Sequence, residues 1–140
     1  MLQRIGLAVL AAISVTVALD AHHGTFINYD RDKQWTSTVV VTEFRYVNPH
    51  AQIFFDVTDA KGKVTHYSGE LLPNPAQLVR NGWTKKRAAA ALQAGTAIKI
   101  TVAPARAGGT TVLVLRIEND KGDELLGAPP PGGPDATPAP

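Results

Sequence analysis

Apolar and polar residues alternate with a period of two through much of this chain. Between residues 51 and 58, Ala51, Ile53, Phe55 and Val57 fall on one face, with Gln52, Asp56 and Thr58 opposite. That is the pattern of a strand buried on one side. Residues 36–47, rich in Val, Thr, Phe and Tyr, predict a strand before it. Asn48-Pro49 ends that strand, because proline offers no ladder donor. Asp59-Ala60-Lys61-Gly62 has hairpin-turn chemistry, and residues 63–71 form the return strand. Together these segments predict a three-stranded meander.

The period then changes. Asn74 is a helix cap with Pro75 at the first helical position, and the short helix to Arg80 stops at Gly82. Residues 85–93 (KKRAAAALQ) have high helix propensity and end at Gly95. Residues 97–103 predict a strand with Ile98, Ile100 and Val102 inward. Residues 110–118 predict the most apolar strand, and residues 124–126 a short edge. Three strands, a helical connection between strands 3 and 4, then two strands is the order of a mainly β, OB-like, partly open five-stranded antiparallel barrel.

The ends of the chain narrow this further. Arg4, the uncharged run 5–19 and Ala21 predict a signal peptide over residues 1–21, and so a periplasmic or secreted protein that meets the membrane only before cleavage. The run is short for a membrane span. Residues 22–34 predict an extended arm and 35–127 the barrel. Residues 128–140, within a Pro-rich stretch holding six of the ten prolines, predict a disordered tail. The 106 residues from 22 to 127 support one modest core, which excludes a TIM barrel or a full dinucleotide-binding enzyme. A net charge of +2 is too small to argue for nucleic acid. The absence of cysteine excludes disulfides and thiolate metal sites.

Candidate chemistry is sparse. Ser37 and Ser68 are the serines after residue 21; neither lies in a nucleophile elbow, and no catalytic motif is present. The histidines are more informative. Cleavage after Ala21 makes His22 the first residue, with a free α-amine and a ring nitrogen that chelate together. With His23, and with His50 presented from the Pro49 corner, this makes a nitrogen-rich set suited to Cu(II). Glu70, near a strand end, is a candidate outer acceptor that orients a histidine ring. The structural reading is an accessible polar start at His22-His23, a turn-bonding His50 and an ordinary strand residue at His66. A different class of function places Tyr46, Tyr67 and Trp83 on an aromatic face that holds a protein partner or small organic ligand; core packing is the alternative for those rings.

Ala21-His22-His23, Phe26, Asp30, Asn48-Pro49-His50-Ala51, an aromatic three residues before Glu70, Leu78, Gly82-Trp83-Thr84 and Leu92 before Gly95 form a series. On these residues the chain resembles the DUF6152 family of exported bacterial proteins, over about residues 20–126. It departs from the family pattern at Gly24, where Ser is usual, at Tyr67, where Trp is usual, and at Gly95-Thr96, where Gly-Asp is usual. The resemblance implies export and the barrel architecture, and places His22, His23, His50 and Glu70 on motif positions. It implies no activity. The reading is an exported binding module, with copper as its candidate ligand, rather than an enzyme.

Overall fold

The computed structural model describes residues 27–127. The expected signal peptide, most of the arm including His22 and His23, and the tail from residue 128 lie outside the described residues.

After a 3-10 turn (Arg31–Lys33), six strands and two short α-helices follow one another: β1 (Trp35–Arg45), β2 (Gln52–Thr58), β3 (Val64–Leu71), α1 (Pro75–Arg80), α2 (Lys85–Ala91), β4 (Ala97–Pro104), β5 (Thr111–Glu118) and β6 (Glu124–Leu125). The sheet order is β3-β2-β1-β4-β5-β6, and an additional β3–β5 pairing closes the first five strands into a barrel. The mainly β, OB-like class and the helical connection between strands 3 and 4 are as expected. The closure corrects the all-antiparallel, partly open form: Ser68–Leu71 runs parallel to Thr111–Val114. β1 is long enough to serve two neighbours, pairing β4 through Trp35–Val40 and β2 through Val40–Arg45. A register shift between Val41 and Glu43 bends it from one to the other.

The inward residues are those of the period-two pattern. Val39, Val41, Ile53, Phe55, Ile98, Ile100, Val102, Val112, Val114 and Ile117 are buried in one core. Gly69 faces it where β3 passes close to its neighbours: a Cβ there would stand 2.6 Å from Val114 Cγ2 and 3.1 Å from Ile53 Cγ2. The helical connection closes one end of the barrel. Asn74 and Gln77 form a reciprocal capping box at the start of α1, with Pro75 first in the helix. Leu78, Trp83, Ala88 and Leu92 are the buried residues this connection contributes.

The end of the arm lies on the outside of the barrel. Tyr29 forms a bridge with Ala105, and Asp30 N donates to Pro104 O at 2.8 Å. Tyr29, Ala103 and Leu113 make a second, smaller buried cluster there.

Candidate functional site

The β2–β3 register determines what the candidate residues meet. Gln52 pairs with Glu70, so His50, two residues before Gln52, comes down beside the end of β3. The Asn48–Pro49 peptide bond before it is cis. His50 Nδ1 lies 3.1 Å from the Leu71 carbonyl oxygen. A carbonyl only accepts, so Nδ1 carries the proton and donates. The other nitrogen, Nε2, faces Glu70 Oε1 at 3.7 Å. The second carboxylate oxygen, Oε2, accepts from the Tyr29 phenol at 3.3 Å. Both His50 and Glu70 are about one-quarter exposed, at 29% and 25% of the side chain. They are sheltered but reachable.

This arrangement reverses one expectation. Glu70 is not the acceptor on the orienting nitrogen; the Leu71 carbonyl takes that place, and Glu70 stands on the side of the free nitrogen. A backbone carbonyl on one ring nitrogen with the other left open is the usual support for a metal-bound histidine. Bonds of about 2.1 Å from one ion to Nε2 and Oε1 would subtend about 125° across the gap. Among the described residues, no group of three His, Asp or Glu side chains converges as a metal site. His50 and Glu70 are two donors, and further donors would have to come from elsewhere in the chain.

Tyr29 had no functional role in the sequence reading. Burial raises the pKa of its phenol above the ordinary 10.0, and the Glu70 charge and hydrogen bond push the same way. The available signal was Tyr29 as one of the aromatics scattered through a mostly polar arm, each of which needs somewhere to bury its ring. Beside it, Gln52, Phe54, Ser68 and Thr111 complete an open recess of about 260 Å³ that also reaches Glu70.

His66 lies further along β3, opposite Asp56, with its Nδ1 on an Asp56 carboxylate oxygen. Its side chain is 81% exposed. It precedes Glu70 by four strand positions, about 13 Å, so it does not share the His50 site.

The three candidate aromatics do not form one face. Trp83 is buried; its indole N–H donates to the Gly127 carbonyl at 3.2 Å, and the Arg87 guanidinium covers the ring at 4.2 Å. The Tyr46 hydroxyl lies 3.0 Å from both the Pro75 and Trp83 carbonyl oxygens, tying the end of β1 to the helical connection. Tyr67 stacks on Phe55 at 5.5 Å and meets Trp35 edge-on at 5.4 Å. Through the Val41–Phe55 and Phe55–Tyr67 pairings, Tyr67 lies level with Val41, five positions back along β1 from Tyr46. All three rings are packing elements.

The sequence signature of DUF6152, a family of unknown function, matches residues 10–114. The chain belongs to that family. The DUF6152 match includes His22, His23, His50 and Glu70. None of the curated proteins matches the chain. Among solved structures, the mitochondrial single-stranded DNA binding protein Rim1 of S. cerevisiae is similar over 64% of this chain and 93% of its own, at 12% identity and a TM-score of 0.42. Among the described residues of this DUF6152 protein, no helix is long and apolar enough to cross a membrane.

Proposed function

We propose that this DUF6152 protein is an exported binding module that holds one transition-metal ion, copper(II), between His50 and the N-terminal His22-His23 pair. The observation that carries the reading is the free Nε2 of His50, whose ring is held through Nδ1 by the Leu71 carbonyl and which faces Glu70 Oε1 at 3.7 Å. Oε1 completes the inner donor set. The arm is tied to the same carboxylate through Tyr29. His23 precedes Tyr29 by six residues, a reach of at most about 20 Å, and His22 by seven. An amine and imidazoles favour Cu(II) over harder cations, and the lack of thiols favours it over Cu(I). Export rests on residues 1–21, whose removal creates the His22 amine.

The test is a Cu(II) and Zn(II) titration of the protein beginning at His22, read by calorimetry and EPR. The comparison is the same protein with one added N-terminal glycine. One-to-one copper binding with nitrogen-rich spectra, weakened in the extended protein and in His50→Ala, supports the proposal. Equal, weak binding in all three proteins removes it.

A further inference from the structure

Residues 72–95, which hold α1 and α2, carry four cations (Arg80, Lys85, Lys86 and Arg87) and no aspartate or glutamate. The whole chain has 14 basic and 12 acidic residues, so everything outside this segment holds ten basic against twelve acidic. The positive excess of the protein is therefore concentrated in one connection of the barrel. Lys85 follows Arg80 by five positions, which keeps them within about 18 Å of each other. Neither helix has an acidic residue in its first turn.

Arg87 is engaged, donating to the Gly82 carbonyl at 3.1 Å and covering the Trp83 ring. The other three are exposed and, among the described residues, form no ion pair. Beside Arg80 stands Val79, an apolar side chain left 53% exposed on a short helix. An open recess of about 530 Å³ adjoins them, lined by Leu72, Pro73, Gln77, Arg80 and Asn81. Its apolar residues, with amides and a guanidinium around them, suit a phosphate headgroup and the first carbons beneath it.

We propose that the α1–α2 connection is a docking surface for an anionic lipid membrane, with Arg80, Lys85 and Lys86 on the headgroup phosphates and Val79 against the interface. Charge complementarity gives the attraction, and the stems of Lys and Arg lie along apolar surface while their heads reach phosphate. A single-stranded nucleic acid fits this face less well. It needs exposed rings on which to stack bases, and the one aromatic of the connection, Trp83, is buried under Arg87. The surface does not depend on the metal site.

The experiment is vesicle co-sedimentation of the full chain and its R80Q/K85Q/K86Q variant, using phosphatidylglycerol-rich and pure phosphatidylcholine vesicles. Insertion by the apolar run 5–19 would act on both vesicle types and on both proteins, so the readout is the preference for anionic over neutral vesicles. The expected result is a preference that falls about a hundredfold in the triple variant, from about fivefold for each basic residue, and that weakens with added salt. The substituted residues are exposed, and an unchanged circular dichroism spectrum and melting temperature confirm the variant's fold. Equal binding to both vesicle types by the wild-type chain overturns the proposal, as does a preference that survives in the variant. So does tighter binding to a single-stranded oligonucleotide that the triple substitution abolishes.

Discussion

Tyr29 donates its phenol to Glu70 Oε2 from 41 residues away in sequence. The contact fastens the end of the arm to the outside of the barrel, and the Tyr29 ring closes a small cluster with Ala103 and Leu113. Polar and apolar contributions separate by substitution. Tyr29→Phe keeps the ring and removes the donor, and should lower unfolding stability by about 0.5–1.5 kcal/mol. Tyr29→Ala also removes the ring, and should lower it by about 3 kcal/mol or more. Urea denaturation measures both. If the Phe variant matched wild type, the hydrogen bond would contribute nothing to holding the arm.

The same contact sets an alkaline limit. Burial first, then the Glu70 charge, raises the Tyr29 pKa above 10.0. The folded-state pKa thus exceeds the unfolded one, so the contribution is complete below about pH 10 and is lost as pH rises through the folded value. Wild type should therefore lose its advantage over Tyr29→Phe as pH climbs past 10. Tyr46 and Tyr67 are present in both proteins and cancel in the comparison. A stability gap that stayed constant across that range would refute the linkage.

The strands were legible because each carries its own evidence. Ala51, Ile53 and Phe55 share one face at a spacing of two and are all buried, while Gln52, Phe54 and Asp56 on the other face are not. Asn74 and Pro75 announced α1 through local capping chemistry. The parallel β3–β5 closure was not legible, since the preference of one distant strand for another leaves no local mark. Depth was not legible either: Tyr46, Tyr67 and Trp83 read as aromatic whether exposed or packed, and only the assembled barrel separates them. The His50–Glu70 pair was within reach. Counting outward from the Asp59–Gly62 turn sets Gln52 opposite Gly69 and brings His50 to the end of β3 within one residue; the turn closes one residue later, Asp59 N donating to Lys63 O at 3.0 Å, which puts Glu70 opposite Gln52.

Gly69 shows how little room the barrel leaves at its closing seam. An added Cβ would stand 2.6 Å from Val114 Cγ2 and 3.1 Å from Ile53 Cγ2, atoms of β-branched side chains that have few rotamers to escape into. Gly69→Ala should destabilise the protein by about 1–3 kcal/mol through overpacking. A second substitution, Val114→Ala, should recover part of the loss in the Gly69→Ala background while being destabilising alone. Additive losses in the double variant would show that the two sites do not compete for space.

Trp83 separates packing from binding. Its ring is buried between the connection and the barrel, and its N–H reaches Gly127 at 3.2 Å. Trp83→Ala should cost about 3–5 kcal/mol and lower the melting temperature accordingly. Trp83→Phe, which keeps most of the ring, should cost less. If the Phe variant melted near wild type but lost affinity for a ligand, Trp83 would belong to a binding surface after all.

His50, just before β2, and His66, on β3, give the sharpest internal control for metal binding. His50 has a backbone carbonyl on Nδ1 and a carboxylate oxygen 3.7 Å from Nε2, at one-quarter exposure. His66 has a carboxylate on Nδ1 but an open, solvent-facing Nε2. A single exposed imidazole binds transition metals weakly, because one ligand bond must offset the ordering of the side chain and the loss of metal hydration. His66→Ala should therefore leave Cu(II) affinity within about twofold. His50→Ala should lower it more than about a hundredfold, beyond the 10–100-fold typical of losing an outer partner. Glu70→Gln keeps the shape but removes the charge, and should fall between them. The same calorimetric titration reads all three variants. Equal losses for His50→Ala and His66→Ala would mean that copper meets the hairpin as two independent surface imidazoles, and the shelter given by Leu71 and Glu70 would have no part in holding it.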